Sequence, residues 1–232
     1  YYENSWSDGL PIIPPTEAKI QNFLEFTERN PHEVLGTILP DNRSATPWNV
    51  AVNGVMAGCR PEYMPVLMAL AEAMADPEYG VEHSGNTPGA ETLITINGPI
   101  IKQLGFNYEQ GAMRDGFLPN SSIGRFWRLY LRNVAVSLPG DADKSTFGHT
   151  WRVVLAEDEG ATNALGWPTL GVEQGFEAQD SVITVARFTS GGTIGSIYGD
   201  DPENIVRYLA DGLVRHSSWE LIFTAGSPLD FF

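Results

Sequence analysis

Cys59 is the only cysteine of the 232-residue chain, and helix-forming patterns lie directly before and after it. A lone thiol makes no disulfide within its own chain, so Cys59 either packs as a small apolar residue or takes part in chemistry. Pro61 predicts a helix start just beyond it, and the free N–H groups of a helix N-terminus stabilise an anion. Arg60 adds a positive charge. We therefore expect Cys59 to be a nucleophilic or redox thiolate, with Arg60 holding its charge.

The chain has no CxxC motif, because Cys59 has no second cysteine to pair with. A dithiol cycle within this chain is therefore excluded. Disulfide chemistry at Cys59 would need the thiol of a second protein or a small thiol compound.

A second group of candidates surrounds the predicted helix start at Asn120, Ser121 and Ser122. Backbone N–H groups at such a start, together with Arg125, can hold a carboxylate or a phosphate. Helix capping alone also explains the Asn-Ser-Ser sequence. The residues expected to bind a small anionic or carbonyl substrate are Asn97, Ser122, Arg125 and Arg114.

Histidines offer an alternative chemistry. His83 and His149 lie in polar, glycine-containing loops, with Glu82 beside the first and Asp141 and Asp143 near the second. No HExxH or HxH pair is present, so a site for a divalent metal would be assembled from distant segments. Surface histidines are the simpler interpretation, and no other cofactor is indicated.

The elements that position these residues mix helices with short strands. The predicted helices cover 16–30, 47–57, 61–76, 98–104, 120–134 and 201–216, and the predicted strands cover 34–39, 92–97, 151–156, 181–188 and 220–223. Residues 123–134 carry an apolar stripe that is expected to lie in the core. This irregular order favours a single α/β or α+β domain over 1–232, with a mixed sheet, packed helices and a helix–turn–helix corner at Gly58-Cys59.

The net charge of the chain limits the classes of partner that it can bind. Lys and Arg number 14 against 29 Asp and Glu, a formal net charge of −15, which argues against nucleic acid and against anionic lipid surfaces. The longest apolar run, 63–75, contains Glu72 and is too short to span a bilayer. A single thiol fits the reducing cytoplasm, which is the expected compartment.

Four segments resemble an uncharacterised bacterial family: 8–16 (DGLPIIPPT), 55–63 (VMAGCRPEY), 97–100 (NGPI) and 122–125 (SIGR). This family is associated with proteins that carry a Cys- or selenocysteine-Gly-Ser-Cys redox motif, as neighbours or fused partners. The resemblance implies that Cys59 is a family feature and that a second, redox-active protein subunit is a partner.

The leading hypothesis is a subunit of a multi-chain bacterial enzyme that uses Cys59 on a small anionic or carbonyl substrate. Two alternatives remain open. One is a metal-dependent hydrolase or lyase with a His/carboxylate site, and the other is a non-catalytic structural subunit whose apolar C-terminal end packs against a partner.

Overall fold

The structure, a computed structural model, describes residues 1, 3–85, 90–145, 153–188 and 201–223, with the side chains of 215–223 left aside. The helices are α1 (Glu17–Leu24), α2 (Pro47–Ala57), α3 (Met64–Ala75), α4 (Ile100–Leu104), α5 (Leu118–Asn133), α6 (Glu159–Ala164), α7 (Leu170–Glu173) and α8 (Pro202–Phe223). Short 3-10 turns cover Pro61–Tyr63 and Val81–His83. The strands are β1 (Gly36–Ile38), β2 (Arg43–Ala45), β3 (Glu91–Asn97), β4 (Leu155–Ala156) and β5 (Val182–Phe188).

The central sheet is mixed, in the order β4-β3-β5. β3 pairs with β4 in parallel, with Thr95 opposite Leu155, and with β5 in antiparallel, from Glu91 opposite Phe188 to Asn97 opposite Val182. β1 and β2 form a separate antiparallel pair. The mixed sheet packed with helices confirms the predicted α+β class.

Helix α2 is the centre of the helical layer, because it contacts α1, α3 and α5. A capping box starts it: the Thr46 hydroxyl accepts from the Asn49 backbone N–H at 3.2 Å, and the side-chain Oδ1 of Asn49 accepts from the Thr46 backbone N–H at 2.9 Å. Gly58 ends it in the left-handed region, at φ 83°, where a residue without Cβ is favoured. The predicted corner at Gly58-Cys59 is confirmed, although α3 itself begins only at Met64, after the 3-10 turn.

The apolar stripe of α5 lies in the core as predicted. Ile123, Phe126, Leu129 and Tyr130 are fully buried, and they belong to the same cluster of buried residues as the inner faces of α1, α2 and α3. Nearly every residue of β3 is buried as well. The helical layer and the sheet therefore share one hydrophobic core.

Some predicted boundaries were wrong. The strand expected over 220–223 belongs to α8, because its few apolar residues fit a helix face as well as a strand. The first helix ends at Leu24, before residue 30, and α5 begins at Leu118, before Asn120. Asn120 is not a cap but a fully buried link, whose amide donates to the carbonyls of Asn107 and Val154 at 3.0 and 2.9 Å.

The close approach of three helices at Gly54 gives a stability prediction. A Cβ on Gly54 would lie 2.7 Å from Leu67 Cδ1 and 2.8 Å from Phe23 Cε1, closer than atoms in a packed core tolerate. We expect Gly54→Ala to lower the free energy of unfolding by about 1–3 kcal/mol in urea titrations, despite the better helix propensity of alanine.

The matched control is Gly160→Ala in α6, where the glycine is exposed and the new Cβ would meet only the Asp158 carboxylate at 3.3 Å. This variant should be as stable as the natural chain or slightly more stable. A Gly54→Ala variant with unchanged stability would contradict the close packing of α1, α2 and α3.

Candidate functional site

Three of the residues that the sequence singled out meet at the α2–α3 corner. The Cys59 side chain is buried, and the Ser122 hydroxyl and the Arg125 guanidinium both act to lower the pKa of its thiol. Ser122 and Arg125 are three residues apart on α5, so they share one helix face. The backbone N–H of Cys59 donates to the Gly54 carbonyl at 3.0 Å, which fixes the corner. A thiol, a hydroxyl and a guanidinium therefore form one cluster, the Cys59 cluster.

Burial controls the ionisation of this thiol. It raises the pKa of Cys59 to about 12, while the Ser122 hydrogen bond and the Arg125 charge act in the opposite direction with smaller effect. On the order of one thiol in 10⁵ is then ionised at pH 7. The sequence led us to expect a lowered pKa at a helix N-terminus, but only a three-residue 3-10 turn begins after Cys59, and burial outweighs its dipole.

The Ser122 hydroxyl is engaged with the backbone of its own helix. It donates to the Leu118 carbonyl at 2.6 Å. It would stabilise a Cys59 thiolate by turning from Leu118 toward the sulfur, where it could act as a donor. The hydrogen bond to Leu118 and the burial of the sulfur therefore suit a neutral thiol.

Arg125 is held by the N-terminal part of the chain. Its Nη2 donates to Asp8 Oδ1 at 2.9 Å and its Nε donates to Asp8 Oδ2 at 3.2 Å, a two-point contact with the carboxylate. A third hydrogen bond runs from Nη2 to the Pro11 carbonyl at 2.9 Å. The Asp8 side chain is 8% exposed and that of Arg125 is 20% exposed, so this ion pair is largely shielded from water.

Residues 8–13, called here the N-terminal segment, are anchored on two sides of Cys59. Arg125 of α5 holds the segment at Asp8, and the Ile13 N–H donates to the carbonyl of Met56, near the end of α2, at 3.4 Å. Ile13 Cδ1 lies 3.8 Å from where a Cβ on Gly58 would stand. The segment therefore runs alongside the Gly58-Cys59 corner.

Arg60, the predicted partner of the thiol, points elsewhere. Its side chain is 61% exposed, and Nη1 lies 3.8 Å from Glu62 Oε1. The cation that acts on the pKa of Cys59 is Arg125, which follows it by 66 positions in the chain.

Asn97 contacts a different set of residues from Arg125. Its Nδ2 donates to Glu157 Oε2 at 2.6 Å and to Glu159 Oε1 at 3.3 Å, and the Gly98 N–H donates to Glu159 at 2.7 Å. Glu157 directly follows β4, and Asn97 ends the parallel strand β3, so both stand at the same edge of the sheet. Neither glutamate was among the site residues predicted from the sequence. The available signal for Glu157 was its position directly after a short strand.

The remaining predicted residues are dispersed. Arg114 is exposed in a turn, where its N–H donates to the Gly111 carbonyl at 2.7 Å. His83 is exposed and its Nε2 lies 3.8 Å from Glu82 Oε1, whereas His149 lies outside the described residues. Among the described residues, no three His, Cys, Asp or Glu side chains are grouped so that they could hold a metal ion.

No family model, no curated protein and no solved structure matches this chain. In the part of the chain that the structure describes, no helix has both the length and the apolar character needed to cross a membrane.

The raised pKa of Cys59 predicts a dependence of stability on alkaline pH. Between the ordinary pKa of 9.0 and the folded value of about 12, the unfolded chain loses a proton that the folded chain keeps. The raised pKa of the thiol therefore contributes fully to the free energy of unfolding below pH 9, and this contribution decreases as the pH rises. From pH 8 to 10.5, we expect the natural chain to lose about 2 kcal/mol more than Cys59→Ala.

Urea titrations of both proteins across this range measure the difference. Burial also raises the pKa values of Tyr63, Tyr79 and Tyr130, and it is the largest cause for each, so most of their contribution is common to both proteins. Cys59 adds a smaller increase to the pKa of Tyr63. Parallel stability curves for the natural chain and Cys59→Ala would contradict a buried, protonated thiol.

Proposed function

We propose that this chain is a subunit of a multi-chain, cytoplasmic bacterial enzyme in which Cys59 attacks a small anionic or carbonyl substrate. The observation that carries the proposal is the grouping of the buried Cys59 thiol with the Ser122 hydroxyl and the Arg125 guanidinium, both of which act on the pKa of the thiol. Three separate sequence motifs supply these groups and the Asp8 carboxylate that binds Arg125.

Asp8 indicates how a substrate would bind. It presents a carboxylate to Arg125 through two hydrogen bonds, which is the geometry that a substrate carboxylate would use. A substrate anion that takes this position displaces Asp8 and releases the N-terminal segment from α5. Release of the segment opens access to Cys59, so substrate binding and thiol exposure are one event.

The step itself needs no further reactant. Cys59 Sγ forms a bond to the carbonyl carbon, the π electrons of the carbonyl move to its oxygen, and the thiol proton ends on that oxygen. Ser122, whose hydroxyl acts on the pKa of the thiol, is the group of the cluster that can pass the proton. Arg125 binds the neighbouring anionic group and favours negative charge in the cluster.

A partner subunit can react with the same thiol. Cys59 Sγ attacks one sulfur of the partner's disulfide, a mixed disulfide forms, and the second sulfur leaves as a thiol that receives the proton. The resemblance to a family associated with Cys- or selenocysteine-Gly-Ser-Cys proteins supports such a partner. Helix α8 offers it a surface, since Val206 and Tyr208 are 62% and 58% exposed.

A structural subunit without catalysis is the second candidate. The burial of Cys59 and its high pKa favour it, because inert structural cysteines have these properties. The exposed apolar side chains of α8 would then serve assembly alone.

Two alkylating reagents distinguish these functions. Iodoacetate carries a carboxylate for Arg125, iodoacetamide does not, and intact mass reports alkylation of the single cysteine. Asp8→Asn frees Arg125, so we expect alkylation of this variant by iodoacetate to be at least about tenfold faster than in the natural chain. The net charge of −15 repels iodoacetate, so a preference for it must come from a local cation.

The control variants locate that cation. Adding Arg125→Gln to Asp8→Asn should lower the rate ratio of iodoacetate to iodoacetamide about tenfold, whereas adding Arg60→Gln should leave the ratio unchanged. If Cys59 reacts only in urea concentrations that unfold the chain, the enzymatic proposal is wrong and the structural subunit is favoured.

A further inference from the structure

A second candidate site is a groove of about 760 Å³ between the first residues of the chain, the Arg43–Val52 region and the end of α5. Its volume is in the range of pockets that bind small organic molecules. The residues of the Cys59 cluster do not line it. We call it the aromatic groove, because Tyr1, Trp6 and Trp48 contribute rings to its wall.

The charge of the aromatic groove is opposite to that of the protein. Its charged lining side chains are Arg43 and Arg132, and no lining residue is Asp or Glu. The whole chain has 29 acidic against 14 basic residues, so an acid-free wall with two arginines is a local exception. An anionic group is therefore the charge that this wall attracts.

Both arginines keep donors for a ligand. Arg132 is fixed through Nε, which donates to the Ser5 carbonyl at 2.5 Å, and in the described part of the chain its Nη atoms make no hydrogen bond. Arg43 Nη2 lies 3.7 Å from Asp41 Oδ2, but both side chains are more than half exposed, and such pairs are weak. A carboxylate that reaches the groove would compete well for both guanidinium groups.

The rings are arranged for a flat ligand. Trp6 is half exposed and meets Tyr1 edge to face, with ring centroids 5.8 Å apart. Trp48 is fixed at its backbone, where its main-chain N–H donates to the Pro31 carbonyl at 2.8 Å. Its ring lies beside that of His32, with centroids 5.8 Å apart. Exposed indole faces beside an apolar wall stabilise aromatic molecules by stacking.

The floor of the groove is a rigid amide network. Asn133 Nδ2 donates to Asn53 Oδ1 at 2.8 Å, Asn53 Nδ2 donates to the Asn49 carbonyl at 2.9 Å, and the Tyr130 hydroxyl donates to Asn49 Oδ1 at 2.8 Å. The Asn133 Oδ1 atom is buried without a partner among the described residues. This network joins α2 to α5 beneath the lining side chains, so the groove is largely formed before any ligand binds.

Backbone strain occurs at the same wall. Val136, a lining residue, has a φ of 58°, in the left-handed region that a β-branched side chain strongly disfavours. Backbone strain of this kind is more frequent at functional sites than elsewhere, so it agrees with a ligand site at this wall.

We infer that the aromatic groove binds a small aromatic carboxylate, with its ring between the indoles and its carboxylate on Arg43 and Arg132. This site is additional to the Cys59 cluster and does not depend on the function proposed for the thiol. It gives the chain a ligand-binding capacity of its own.

Calorimetric titration with indole-3-acetate and its neutral analogue indole-3-acetamide tests the inference. We expect saturable one-to-one binding of the acetate. The Arg43→Gln/Arg132→Gln variant should weaken acetate binding at least tenfold and change acetamide binding less than about twofold, since only the acetate carries the charge. Trp48→Ala should weaken the binding of both probes.

Two controls complete the design. Arg207→Gln changes a highly exposed arginine on α8 and should leave both affinities unchanged, as should Cys59→Ala. The double arginine variant changes two residues outside the hydrophobic core, so it remains informative if Trp48→Ala fails to fold. Absence of saturable acetate binding up to about 5 mM, or an equal loss of both probes in the double variant, would overturn the inference.

Discussion

The ion pair between Asp8 and Arg125 is the interaction on which the Cys59 cluster depends. It joins positions 117 residues apart in the chain, and it is largely shielded from water, so its charge-assisted hydrogen bonds are stronger than those of an exposed pair. Removal of one partner leaves the other charge poorly solvated, which is costly in such an environment. The pair therefore fixes the N-terminal segment beside Cys59 and holds Arg125, whose charge lowers the pKa of the thiol, against Asp8.

At Cys59, burial raises the pKa of the thiol and the charge of Arg125 lowers it, and the effect of burial is larger. The same closed packing that hides the sulfur raises its pKa to about 12, so the resting chain holds a protected thiol. Under the proposed function, a substrate anion that takes the place of Asp8 on Arg125 would expose the sulfur in the same event.

Local sequence signals predicted most helices and strands, but they could not predict contacts between residues that are far apart in the sequence. The Thr46 capping box and the Gly58 cap are encoded within a few residues, so α2 and the corner were predicted correctly. Arg60 was chosen as the partner of Cys59 because it is adjacent in the sequence, yet Arg125 occupies that position in space. Ser122 and Arg125 were found through their helix, whereas the role of Asp8 required the fold.

The free energy of opening around Cys59 tests the central claim most directly. It follows from the rate at which iodoacetamide alkylates the folded chain compared with the unfolded chain, in the natural protein, Asp8→Asn, Arg125→Gln and the double variant. We predict that each single substitution lowers the opening free energy and that the double variant adds little to either, because both remove one pair. Equal opening free energies in all four proteins, matching global unfolding, would contradict the account.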